Sequence, residues 1–179
     1  MINESYPWKR DLLKDADIIE RWAAKITASE SRDALIENKI FLSAYVIRKL
    51  IENYKLTDKA AAGTVKCRLC RTLGRKVDTF NRHDIDKLYD FSSHIKSSIP
   101  IVHLANQIVH SLIFAFENSI DEDSSPICGF WVASDWQKDK HLCGINLNDY
   151  LSVMRMVGSN QVVEIRSERT EKGWKISSR

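Results

Sequence analysis

Between Ile101 and Phe116 the chain reads IVHLANQIVHSLIFAF, and the fold turns on how this run is wound. Wound as an α-helix at about 100° per residue, it splits into two faces. Leu104, Ala105, Ile108, Val109, Leu112, Ile113 and Phe116 fill a broad apolar half. His103, Asn106, Gln107 and His110 form a polar stripe on the other side, with Ser111 at its margin and Phe114 inside it. That stripe contains no Lys, Arg, Asp or Glu. A solvated helix face is normally charged, so the stripe is expected to be enclosed and more than half buried all round. It should face a hydrogen-bonded interior or a ligand.

Working upstream, Ser92–Ser98 reads as a polar connection, and Pro100 suits the first turn of the striped helix. Asn81 is placed to cap a short helix over His83–Phe91. Before it, Val65, Cys67 and Leu69 alternate with Lys66, Arg68 and Cys70, the period of a half-buried strand. Gly63 and Gly74 bracket that strand as breakers. The first third of the chain is helical by the same test. Leu12, Leu13, Ala16, Ile19, Trp22, Ala23 and Ile26 recur at helical steps over residues 8–27. A second helix starts from Ser29 or Ser31, buries Leu35, Ile36, Ile40, Ala44, Ile47 and Ile51, and should stop near Tyr54.

Downstream of Phe116 comes an acidic loop ending at Pro126, and then the pattern changes. ICGFWVAS and KHLCGINL read as two strands joined by the turn DWQKD. Asn148 or Asp149 should cap a short helix closed by Gly158. VVEIRSE and GWKIS form a last hairpin around TEKG. The expected class is α+β: a helical N-terminal half with one basic strand, and a C-terminal antiparallel sheet of about four to five strands packed on the central helix. One domain should span residues 1–179, mainly helical over 1–120 and mainly β over 126–179.

Composition narrows the function classes. Of 179 residues, 44% are hydrophobic and 28% charged, with six Gly and three Pro, which favours long regular elements over disorder. No apolar run reaches the roughly 20 residues that cross a bilayer. The first residues are charged throughout, so a cytoplasmic location with reduced cysteines is expected. No dinucleotide, Walker or nucleophile-elbow motif is present, and no cofactor is implied. The Arg–His spacing of the HEPN ribonucleases is also missing, since seven residues separate Arg75 from His83.

Three candidate sites remain. The first is the polar stripe. His103 and His110 lie two turns, about 10 Å, apart along a helix, too far for one metal. Hydrogen bonding through Asn106 and Gln107 is the first account. If the stripe is catalytic, His103 or His110 is the acid or base of a hydrolase or nuclease. The second is the basic segment 59–82, seven basic residues against Asp78 alone on an otherwise acidic body. Lys66, Arg68, Arg71, Arg75 and Lys76 would face nucleic acid or an acidic protein surface, or merely guard a solvated edge strand. The third is the thiols. Cys67, Cys70 and His83 copy three ligands of a zinc finger, but the fourth is absent and a strand sends the two thiols to opposite faces, so no metal is assigned. Cys128 and Cys143 are expected near each other on the first C-terminal hairpin, with His141 on the face of Cys143. Trp131, Trp136 and Trp174 suit either packing or an exposed aromatic surface. The favoured function is a small binding or regulatory module acting through segment 59–82, with no membrane partner and with self-association left open. The alternative is the hydrolase or nuclease.

Overall fold

Local sequence rules set the helices. The computed structural model describes residues 2–25, 29–119, 126–171 and 173–179. Helix α1 spans Tyr6–Ala23 and buries Leu12, Ala16, Ile19 and Ala23. Helix α2 spans Glu30–Glu52; the Ser29 hydroxyl accepts from the Arg32 N–H, as an N-cap should. Ile36, Ile40, Ala44, Ile47 and Leu50 form its buried stripe. A single turn, α3 (Asp58–Ala61), leads into strand β1 (Thr64–Thr72). There follow α4 (Ile85–Leu88), β2 (Tyr89–Pro100), α5 (Ile101–Val109) and β3 (Ser111–Asn118). The chain closes with β4 (Ile127–Ser134), β5 (His141–Asn146), α6 (Leu147–Ser159) and the hairpin β6 (Ile165–Thr170) and β7 (Gly173–Ser178).

The fold is α+β. Five strands form one antiparallel sheet in the order β2-β1-β5-β4-β3, and β6 and β7 form a separate pair. Period-2 alternation gives the large sheet two different faces. Val65, Cys67, Phe130, Val132, Cys143 and Ile145 join the apolar stripes of α1, α2, α5 and α6 in the main core. Cys70, Ile113, Trp131, Ala133 and Leu142 point the other way and meet Val77, Leu88 and Tyr89 in a smaller core. The segment between β1 and β2 covers that second face, pinned where the Tyr89 hydroxyl donates to the Lys138 carbonyl at 2.6 Å. No helix among the described residues is long and apolar enough to cross a membrane.

The striped run departs from its expected winding. It is helical only to Val109, with His110 as the C-cap; Ser111–Asn118 is strand β3. Its second half, SLIFAFEN, is apolar on both faces, so the helical and the extended periods fit equally well. Tertiary pairing with β4 then decides, because β3 closes the sheet edge and its Phe114 stacks on Phe130, centroids 5.3 Å apart. Ser92–Ser98, expected to be a connection, belongs to strand β2. It is an edge strand exposed on both sides, so it has no apolar alternation to betray it. That strand also shortens the helix expected over His83–Phe91 to α4, which lacks the Asn81 cap. Helix α6 is capped by Asn146, whose side chain accepts from the Asn148 N–H, one turn ahead of the expected cap. Gly158 lies inside α6 rather than past its end; a Cβ there would meet the Leu13 side chain at 2.8 Å, so it serves the close approach of α1.

Candidate ligand-binding cleft

Helix α5 sits over the sheet with its apolar side down: Ile101, Leu104, Ala105 and Ile108 are buried. The sheet continues past it toward β1 and β2, and that overhang leaves a cleft of about 420 Å³. The α5 stripe supplies one wall: His103, Asn106, Gln107 and His110. Cys67 and Leu69 of β1, with Ser97, Ser98 and Ile99 of β2, contribute the sheet side. His141 of β5 and the turn residues Ser134, Trp136 and Gln137 complete it. Three imidazoles, three carboxamides and three serines thus line one space that contains no Lys, Arg, Asp or Glu side chain.

The stripe is therefore open where enclosure was expected. His103 and His110 are exposed, Asn106 is half-buried, and only Gln107 is buried, at 8% exposure. The physical reason is the early end of α5: a full-length helix would have run on under the sheet, whereas the short one leaves its polar side at the edge. Its amides are not satisfied internally either. Asn106 Oδ1, Gln107 Oε1 and Gln137 Oε1 are all withdrawn from solvent and have no hydrogen-bond partner among the described residues. Buried acceptors without partners are costly and rare. All three belong to residues that line the cleft, two on α5 and one on the β4–β5 turn.

His110 has a partner that its sequence neighbours do not reveal. Arg48 Nη1 from α2 lies 3.1 Å from His110 Nε2, while Arg48 Nε donates to Glu52 at 2.7 Å. Arginine only donates, so Nε2 must accept and the proton of the neutral imidazole sits on Nδ1. Across the cleft, burial and then the Lys140 ammonium push the His141 imidazole below its ordinary pKa, so His141 is held neutral. No family model matches the chain, and no characterised protein or solved structure is similar enough to be matched to it. The reading of the site therefore rests on its chemistry.

The basic segment is divided by the sheet. Lys66 and Arg68 leave the face opposite the cleft, together with Lys96, and line a second, larger space of about 660 Å³ with Glu117, Asn146 and Asp149. Arg71 pairs with His141 across the β1–β5 ladder, three positions from the Arg68–Gly144 pair, so it leaves the cleft face instead. The expectation that Lys66, Arg68 and Arg71 share one exposed side is corrected by that odd spacing. Arg68 is also committed. Its guanidinium makes a two-pronged contact with Glu117, one bond at 2.9 Å, and sits 4.7 Å from the Trp131 ring. Gly144 makes room for this stack, since a Cβ there would strike the Trp131 ring at 2.3 Å. Lys66 and Lys96 pair with no acid among the described residues, and Arg75 and Lys76 are exposed beyond β1.

The thiols are arranged differently from the expectation. Cys128 donates to the Glu117 carbonyl at 3.3 Å on the far side of β4, away from Cys143. The neighbour of Cys143 is Cys67: β1 and β5 pair with Leu69 opposite Cys143, which makes Cys67 its diagonal neighbour on the same face. Ser97 stands directly opposite Cys67 on β2, and the neighbouring Cys143 thiol and Ser97 together hold the Cys67 thiol below its ordinary pKa. Cys67 and Cys70 leave opposite faces, as the strand reading requires, and His83 lies exposed at the loop. Trp131 is buried, whereas Trp136 and Trp174 are 86% and 68% exposed. Sequence reasoning missed Arg48, Gln137 and Ser97 as site residues. None of them carries a local signal, because the register of β1 with β2 and the course of the β4–β5 turn bring them in.

Proposed function

We propose that the cleft binds a planar, hydrogen-bonding ring of the nucleobase class, on a nucleotide or an unpaired strand, and that His103 and His110 supply acid–base chemistry there. The observation that supports this reading is the set of unpartnered acceptors on Asn106, Gln107 and Gln137 in a cleft with no charged lining. A neutral ligand edge rich in N–H donors completes them; a naked phosphate would not. Carboxamides read base edges in this way, and the exposed Trp136 at the rim offers a stacking surface. A volume of about 420 Å³ suits one ring with its sugar. Phosphates outside the cleft would meet Arg71 at the His141 end and the Arg48–Glu52 pair at the His110 end.

Within that arrangement His103 and His110 stand about 10 Å apart along α5, on either side of a group held between them. One imidazole would take a proton from the attacking hydroxyl or water and the other would give one to the leaving oxygen, the division of labour of a hydrolase or nuclease. The second reading, a binding module acting through segment 59–82, draws its support from Lys66 and Lys96 on the open opposite face. Anisotropy with short RNA and DNA probes, followed by a cleavage gel, separates the two. Binding lost in Gln107→Met and turnover lost in His110→Ala, with the melting temperature kept, support the cleft. Binding lost only in Lys66→Ala and Lys96→Ala would move the function to the other face.

A further inference from the structure

We propose that Cys67 and Cys143 are a redox couple at the floor of the cleft, oxidised by a hydroperoxide to an intramolecular disulfide. The placement of the four cysteines carries this assignment. Cys67 borders the cleft with 6% of its surface exposed, whereas Cys143 is fully buried behind it on the next strand. The two share a sheet face as diagonal neighbours and belong to one core cluster. Cys70 is turned to the opposite face, and Cys128 is tied to the Glu117 carbonyl. One thiol is thus presented to a small solute from the cleft, with a single second thiol poised to resolve it.

The surroundings favour thiolate at the Cys67 sulfur, and thiolate is the reactive form. The neighbouring Cys143 thiol, and more weakly Ser97, holds the Cys67 thiol below the ordinary thiol range against the opposing cost of burial. The same proximity, with burial, raises Cys143, which keeps its proton until it is needed. In the first step the Cys67 sulfur attacks one oxygen of the hydroperoxide and the O–O bond breaks. Cys67 becomes a sulfenic acid, and the other oxygen leaves, protonated, as water or an alcohol. In the second step the Cys143 sulfur gives up its proton and attacks the Cys67 sulfur. The S–O bond breaks and the oxygen leaves as water. Two thiols lose two electrons and two protons, and the peroxide takes both. Diagonal strand neighbours stand wider than a relaxed disulfide prefers, so this bond should be readily reduced again. Once formed, it ties β1 to β5 beneath the α5 stripe.

The test is peptide mapping of the full chain after a short exposure to hydrogen peroxide, with and without a later thiol reductant. The expected result is a linked peptide joining Cys67 and Cys143 that the reductant reverses. In Cys143→Ser the product should be a dimedone-trapped sulfenic acid at Cys67. Iodoacetamide labelling of untreated protein should modify Cys67 first, with a rate that rises at lower pH than for an ordinary thiol. A Cys67 that stays reduced, or Cys128 oxidised ahead of it, overturns the proposal, and wild-type mapping alone suffices if a variant fails to fold. None of these outcomes depends on what the cleft binds.

Discussion

Two groups of polar side chains lie in the same layer between helices and sheet, and they are treated in opposite ways. At one end the Ser43 hydroxyl and the Tyr150 hydroxyl meet at 2.8 Å, and both also reach the Ile40 carbonyl. Every polar atom there is paired, Tyr150 is 1% exposed, and its ring packs edge-on against Phe130. At the other end Asn106, Gln107 and Gln137 leave three carbonyl oxygens unpaired beside an open cleft. Both groups occupy one fold, so a general looseness of packing does not explain the difference. A closed network holds structure together; in the function proposed above, the incomplete one holds a place for a ligand.

The largest effect should come from breaking the closed network. Tyr150→Ala should cost about 3–5 kcal/mol in urea unfolding, because a fully packed ring is removed. Tyr150→Phe, which removes only the hydroxyl, should cost about 1 kcal/mol. The sharpest contrast is Gln107→Met. It deletes a buried acceptor that has no partner, so stability should hold or rise by up to about 1 kcal/mol, while nucleoside affinity falls at least about tenfold, the equivalent of some 1.4 kcal/mol. A clear loss of stability in Gln107→Met would make the stripe a structural network and erase the contrast.

The helical third of the chain was legible because its apolar residues recur at one period only and Ser29 announces its start. The sheet was partly legible. Val65 to Cys70 alternates as a half-buried strand does, and the two C-terminal hairpins are marked by their polar turns DWQKD and TEKG. Two elements escaped for physical reasons. Strand β3 is apolar on both faces, which no period can separate from a buried helix, and β2 is polar on both faces because it is an outer edge. The candidate site was legible as a stripe, since uncharged polar residues in register are visible in the sequence. Its far wall was not, because His141, Gln137 and Ser97 arrive through strand register, and Arg48 reaches His110 from a helix 62 positions away.

Smaller effects extend the comparison to the other face of the sheet. Arg68→Ala should cost about 1 kcal/mol, since it removes a half-exposed ion pair with Glu117 and a stack on Trp131 together. Lys66→Ala, two positions away and unpaired, should change stability by less than about 0.5 kcal/mol. Denaturant midpoints measured side by side check this, and equal effects would return Arg68 to the surface patch. The smallest effect is the pH response of His141. Its folded pKa lies below the ordinary imidazole value, so the unfolded chain takes up the proton first as pH falls. Its contribution is therefore complete above the ordinary imidazole range and is lost as pH drops through and below about 6.5. His141→Asn should flatten that part of the stability profile, and an unchanged slope would show that His141 is not its source.

The most direct measurement is the side-chain amide signals of Asn106, Gln107 and Gln137, followed by ¹⁵N NMR as nucleosides are titrated into the protein. Asn160, whose side chain is already bonded to Thr57 at 3.0 Å and to the Thr57 N–H at 2.9 Å, is the internal control. The account predicts saturable shifts of the three cleft amides with at least one base, with Asn160 unmoved. Shifts confined to the Lys66 and Lys96 face, or no shift at the three amides with any base, would contradict it.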